Sequence, residues 1–257
     1  ALLQRTERRS TLHIADMTMF YAPASGGVRT YLEAKHRRLQ LYSGVRHSIL
    51  VPGDGYSHND GLYQVPAPIL PFGKGYRFPR LYGSFDRVLA PSEVMADKLT
   101  HLGVRNVFVQ PLGVDLETFN PDRRDPQLRR ELGLPDDARL MVFAGRGSRE
   151  KNLHILLETA RQLGKPYHLL LVGSSMPQRV PDNVTVIDRF CPAIEVARYL
   201  ASSDVLLHAG NQETFGLVAL EAMASGIPVV AARAGALPEL VPFYSGRLCK
   251  PLDPRAM

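Results

Sequence analysis

The stretch NQETFGLVALEAMASGIPVV, Asn211–Val230, passes from a polar loop through small and aliphatic residues into a β-branched segment. Its middle carries no helix breaker, so a short helix is expected to start near Phe215 or Gly216 and to stop at Gly226. Ala219, Ala222 and Ala224 leave that helix thin enough to lie close against a sheet. The flanking runs, Val205–His208 before it and Pro228–Ala231 after it, are largely apolar, as strands buried on both faces of a parallel sheet are. Strand, helix and strand in that order make one unit of a doubly wound α/β fold.

The same stretch holds two carboxylates, Glu213 in the loop and Glu221 in the helix. Glu221 stands amid apolar neighbours, where a charge needs a partner. The backbone N–H groups of Thr214, Phe215, Gly216 and Leu217 are helix-start donors, suited to phosphate or sugar oxygens. The plainer reading makes Glu213 a helix cap and Glu221 a surface residue.

Working outward, the alternation continues. Strands are expected at Leu12–Ala15, Ser48–Val51, Arg87–Ala90, Val107–Val109, Leu140–Ala144, His168–Val172 and Val184–Ile187. Helices are expected over about Ser92–Leu102, Lys151–Leu163 and Pro192–Ser202. Residues 114–139 hold three prolines and many charges, which places a break there and divides the chain into domains 1–113 and 114–257. The first half is irregular. Between Val51 and Arg87 lie Pro66, Pro68, Pro71 and Pro79 and a single weak strand, Tyr63–Val65. Residues of the natural protein are therefore expected to be missing near Arg80–Leu81, leaving the first domain incomplete. The chain also stops at RLCKPLDPRAM without a closing helix, so the second domain is expected to be truncated. An intact mass well above that of these 257 residues is the check.

Composition narrows the class. With 45% hydrophobic and 22% charged residues the chain is globular, and no run reaches the ~20 apolar residues of a membrane-spanning helix. The basic start, ALLQRTERRS, lacks the apolar core of a secretory signal. Two cysteines, Cys191 and Cys249, make no disulfide scaffold and no metal-ligand spacing. A cytoplasmic address is expected. The net charge of +6 favours anionic partners. No aromatic residues interleave a basic stripe, so nucleic acid is not expected.

Two further motifs can carry chemistry. SGGVRTYL, Ser25–Leu32, runs from a glycine pair straight into a helix, which lets backbone N–H groups of Gly26 and Gly27 approach an anion. AGRGSREKN, Ala144–Asn152, follows a buried strand, at the sheet edge where open α/β folds bind ligands. Arg146 and Lys151 there suit a diphosphate, although the spacing is not that of a P-loop. Each motif alone is equally a tight turn or a solvated basic loop.

Taken in order, SGGV, RVLAPSEVMADKL (87–99), VQPLGVDLETFNP (109–121), G-R-x₄-K-N (145–152) and DVLLHAGNQETFG (204–216) with its following helix resemble the retaining glycosyltransferases of GT-B fold, family 4. The resemblance spans nearly the whole chain. It implies two Rossmann-like domains facing across a cleft, the first on the acceptor side and the second holding a nucleotide-sugar donor. It implies that Gly27 faces the donor phosphate, that Arg146 and Lys151 take the diphosphate, and that the backbone at Phe190 meets the nucleobase. Glu221 matches the carboxylate on the ribose hydroxyls. Glu213 matches the one beside the transferred sugar, with Thr214, Phe215, Gly216 and Leu217 as backbone donors. His208, ending its strand before this loop, is expected to line the donor pocket, whereas His154 and His168 are expected to be structural.

The reaction implied is transfer of a hexose from a UDP- or GDP-sugar to a hydroxyl acceptor, with retention at the anomeric carbon. Glu213, Arg146 and Lys151 would be its catalytic groups, with no cofactor and no metal. The acceptor is of unknown type, lipid-linked or glycan. The helix Val28–Gln40, with Arg29, Lys35, Arg37 and Arg38, can touch anionic lipid as a peripheral contact at the inner face of the membrane, although a merely solvated basic face is the plainer reading. The family's first-domain histidine, set before a small residue and Asp, has no match in His13, His36, His47, His58 or His101; the expected gap is where it belongs. A catalytically inactive sugar-nucleotide-binding protein is the alternative. A nicotinamide-dependent oxidoreductase is disfavoured, because SGGV stands where GxGxxG is needed.

Overall fold

A computed structural model of the chain describes residues 12–18, 26–53, 56–59, 61–66 and 85–257. The expected gap near Arg80–Leu81 and the loop before Gly26 lie outside them. The chain forms two compact units, Ala1–Ser84 and Phe85–Met257.

In the first unit, strands β1 (Leu12–Met17), β2 (Val45–Gly53) and β4 (Leu62–Pro66) run parallel, and β3 (Ser57–Asn59) adds an antiparallel edge in the order β1-β2-β4-β3. Helix α1 (Gly26–Leu39) packs on β2. Gly26 and Gly27 are its first two residues.

The second unit is built on a six-stranded parallel sheet. Strands β7 (Arg139–Ala144), β8 (Tyr167–Gly173), β9 (Val184–Asp188), β10 (Val205–His208), β11 (Val229–Ala232) and β12 (Gly246–Cys249) lie in the order β12-β11-β10-β7-β8-β9. The unbroken apolar runs have the expected reason: both faces are covered. Leu140, Val142 and Ala144 face one core with α5 (Ala193–Ala201) and α6 (Leu217–Ala224). Met141 and Phe143 face the other core with α4 (Leu153–Leu163). From β7 the chain winds outward through β8 and β9, then returns to β10 on the opposite side and continues to β12. The switch point thus lies between the adjacent strands β7 and β10, the place where such sheets hold ligands beyond the strand ends.

Three differences from the sequence reading have clear causes. Helix α4 starts at Leu153, not Lys151, because Asn152 is left-handed (φ 51°) and separates it from a short 3₁₀ turn, Arg149–Lys151. Helix α6 starts at Leu217, one step after Gly216 (φ 98°), a backbone shape that glycine adopts without strain. Strand β12, absent from the expected strands, pairs parallel with β11 and is defined by that pairing.

The proline- and charge-rich segment 114–139 is packed rather than loose. Phe119 and Leu128 are buried in the core, Leu128 within the short helix α3 (Leu128–Glu131). Arg198 of α5 bonds Asp125 and Glu131, and Arg129 bonds Asp204. Strands β5 (Val88–Ala90) and β6 (Val107–Val109) with helix α2 (Glu93–His101) form a separate two-stranded sheet grouped with the second unit. The fastening is at the start of α2: the Glu239 carboxylate accepts the N–H groups of Glu93 and Val94 at 2.7 and 2.9 Å, and Ser92 Oγ donates to the Thr214 carbonyl at 2.7 Å.

Candidate functional site

Two loops leave the switch point side by side. The first follows β7 and carries Arg146 and Lys151. The second follows β10 and carries Glu213. They are tied together at their backbones. The buried Asn152 carboxamide donates to the Ala209 carbonyl at 3.0 Å, and Asn211 N–H donates to the Glu150 carbonyl at 3.3 Å. The left-handed Asn152 therefore breaks the helix and also docks the basic turn on the acidic loop.

The docking brings Lys151 and Glu213 into a direct ion pair, Nζ to Oε1. On the same carboxylate oxygen, His208 Nε2 approaches to 3.1 Å. Burial pushes the Glu213 carboxyl upward, but His208 and Lys151 outweigh it and hold the group well below the usual carboxylate range. Glu213 is therefore ionised. Glycine makes this crowding possible: a Cβ at Gly235 would sit 2.5 Å from the Glu213 carbonyl oxygen, and the left-handed Gly235 (φ 56°) would strain with any side chain.

Glu221, on α6, is the opposite case. Among the described residues its carboxyl has no ion-pair or hydrogen-bond partner. It lies deep in the fold with part of its surface open, and burial alone raises it to about 7. Between the two carboxylates, the N–H groups of Thr214, Phe215, Gly216 and Leu217 meet no acceptor among the described residues. The start of α6 is thus a row of unmet donors with a positive dipole end.

The other expected residues fall as follows. Arg146 is 41% exposed and stays 3.8 Å from Glu150, loosely enough to turn to another anion. Phe190, just past β9, is exposed. His208 is fully buried, so it meets Glu213 rather than an open pocket surface. His168 bonds Thr185 across neighbouring strands at 2.8 Å. Of the basic helix, Arg29 pairs with Glu33 and Lys35 with Asp16, so two of its four cations are neutralised within the first unit; Arg37 and Arg38 are exposed. No helix of the described residues is long and apolar enough to cross a membrane. Sequence reasoning missed Asn152 as the residue that docks the two loops; its place after Lys151 at a helix start was the available signal.

An ionised carboxylate fixed by a lysine, a second carboxylate without a partner, and unmet N–H donors between them can accept hydroxyls and bind phosphate. The solved structures agree on the fold. A glycosyltransferase from Rickettsia africae ESF-5 superimposes with a TM-score of 0.69 over 96% of this chain and 86% of that one, at 15% identity. The fold is that of the GT-B glycosyltransferases.

The relatives go further than the fold. The GDP-mannose-dependent alpha-(1-6)-phosphatidylinositol dimannoside mannosyltransferase of Mycobacterium tuberculosis is 34% identical over 181 residues, 65% of this chain and 46% of that protein. D-inositol 3-phosphate glycosyltransferase 1 of Catenulispora acidiphila is 37% identical over 194 residues, 66% of this chain and 46% of that protein. Residues 138–257 match the model of the family described as Glycosyl transferases group 1. The chain spans about half the length of the curated relatives it matches.

Proposed function

We propose that this protein transfers a hexose from a nucleotide sugar to a hydroxyl acceptor with retention at the anomeric carbon, and that residues 114–257 bind the donor. The observation that carries this reading is Glu221, a largely enclosed carboxylate without a partner, set beside unmet helix-start N–H groups. Ribose hydroxyls complement the first and phosphate oxygens the second. Arg146 and Lys151 would offset the charge on the departing diphosphate, and no metal is assigned to that task. Glu213 would face the developing positive charge at the anomeric carbon. The backbone at Phe190 would meet the base, and Gly26 and Gly27 would approach the donor phosphate.

Relatives named for GDP-mannose make a GDP-hexose the first donor to try, with UDP-sugars second. Inositol-containing acceptors among the same relatives support a small polyol or lipid headgroup as acceptor. Exposed Arg37 and Arg38 support a peripheral contact with anionic lipid at the cytoplasmic face.

The test is calorimetry of UDP, GDP, ADP and NAD on the full-length protein, followed by turnover with the matching sugar nucleotides. Selective binding of one nucleoside diphosphate together with turnover is the expected result. Binding without turnover would make the protein a sugar-nucleotide-binding module instead, and binding of NAD alone would overturn the reading. Glu221→Ala is expected to weaken the nucleotide by about 1–3 kcal/mol.

A further inference from the structure

Lys151 carries two assignments that compete for its ammonium. In this structure its ammonium sits on Glu213, whereas the proposed function, on which this inference rests, sends it to the donor diphosphate. If it left, Glu213 would be a largely buried anion without the cation now bonded to it, which is a costly state.

A reserve partner is already in position. His208 is fully buried at the end of β10. Its Nδ1 accepts the Gly210 N–H at 3.1 Å, so the neutral ring carries its proton on Nε2. That Nε2 lies 3.1 Å from Glu213 Oε1 yet outside hydrogen-bond alignment, and it has no other partner. Buried ring nitrogens are seldom left so. The approach depends on glycine: a Cβ at position 210 would lie 2.6 Å from His208 Cε1 and 3.1 Å from Glu213 Oε1. A small shift of the carboxylate away from Lys151 and towards the ring completes the missing bond.

We propose that His208 is a positioning residue that takes over Glu213 Oε1 when Lys151 is drawn to the donor diphosphate. Glu213 then stays charged and fixed while the lysine serves the phosphate. The histidine itself touches no substrate.

The test uses GDP and UDP on full-length wild type, His208→Asn and His208→Gln, by calorimetry in two buffers of different ionisation enthalpy, with kcat measured alongside. Asparagine keeps an acceptor for Gly210 but falls short of Glu213; glutamine keeps a donor at the Nε2 position. His208→Asn is expected to take up more protons than wild type on binding, as Glu213 protonates, to bind about tenfold more weakly and to lose a similar factor in kcat. His208→Gln is expected to match wild type in proton number. Any proton exchanged by Glu221 is common to all three and cancels in the comparison.

Equal affinity and proton number in wild type and His208→Asn overturn the inference. Equal losses in both variants with a matching fall in Tm reduce His208 to a packing residue and overturn it too. Should His208→Asn not fold, the wild-type protein decides. The Nε2–H resonance of His208 in histidine-labelled protein moves on saturation with nucleotide, and an unmoved resonance overturns the proposal. If wild type binds neither GDP nor UDP, the proposed function falls first and this inference with it.

Discussion

Each unit of the molecule encloses a network of charged groups, and the two networks are finished to different degrees. In the first unit, Asp16 of β1 receives Lys35 at 2.8 Å and His47 Nε2 at 2.6 Å. His47 Nδ1 accepts from His36 Nδ1 at 2.7 Å, and His36 Nε2 accepts from Gln40 at 2.8 Å. One arrangement of protons satisfies every member, and the chain of donors runs from Gln40 to the carboxylate. Burial raises the Asp16 carboxyl, but the bond from His47 and the charge of Lys35 bring it below its ordinary value. In the second unit Glu213 is bonded by Lys151, yet the neighbouring His208 Nε2 is unaligned, and among the described residues Glu221 has no partner and the N–H groups of Thr214–Leu217 are unmet. A saturated network fixes strands and helix to one another. Unsatisfied groups cost stability and are retained where a ligand completes them.

That contrast can be broken by experiment, most severely at Glu213. Glu213→Gln keeps the shape but removes the charge, and kcat is expected to fall about 10²–10³-fold with nucleotide affinity nearly unchanged. Full activity in steady-state turnover would place the reaction elsewhere. Next in size is Asp16→Ala, which strands Lys35 and His47. It is expected to cost about 2 kcal/mol in denaturant unfolding and to leave nucleotide affinity alone. An altered nucleotide Kd would mean that the first network is not purely structural.

Glu221 gives a pH signature. Its folded pKa, about 7, lies above the ordinary 4.5, so the native protein holds the extra proton between those values. The unliganded protein therefore loses stability as pH rises from about 4.5 to about 7, and Glu221→Gln is expected to flatten that slope. Binding of ribose hydroxyls favours the ionised form, so nucleotide affinity is expected to climb by up to about tenfold per unit as pH rises towards 7, then level. A pH-independent Kd would separate Glu221 from the nucleotide. The smallest effect is at Glu239, whose carboxylate caps α2. Glu239→Gln is expected to lower stability by about 1 kcal/mol in thermal unfolding without touching the Glu213 site.

The residues themselves announced more of the site than of its wiring. Glu213, Glu221, Arg146 and Lys151 stand out in sequence because charge within apolar or glycine-rich surroundings needs an explanation. The bonds that hold them are harder to foresee. Lys151 and Glu213 are 62 residues apart, and Asn152 and the Ala209 carbonyl are 57 apart. Segment 114–139 reads as a break between domains because its prolines and charges are local, whereas the partners of Asp125 and Glu131 lie on α5, 73 and 67 residues away. Strand β12 was hidden for a similar reason. Gly246–Cys249 is a short edge strand with little alternation, and pairing with β11 defines it more than composition does.

Sequence alone determined the α/β class, the succession of the central strands along the chain and which side chains are candidates for the chemistry, because strand burial and helix punctuation are written in local patterns of 2 and 3.6 residues. The tertiary structure decided which of those side chains meet. Whether a carboxylate is held ionised, as Glu213 is, or raised to about 7, as Glu221 is, depends on what the fold packs against it. Desolvation and charge pairing act through space, and the sheet order that creates that space, with β10 beside β7, is a property of the whole chain.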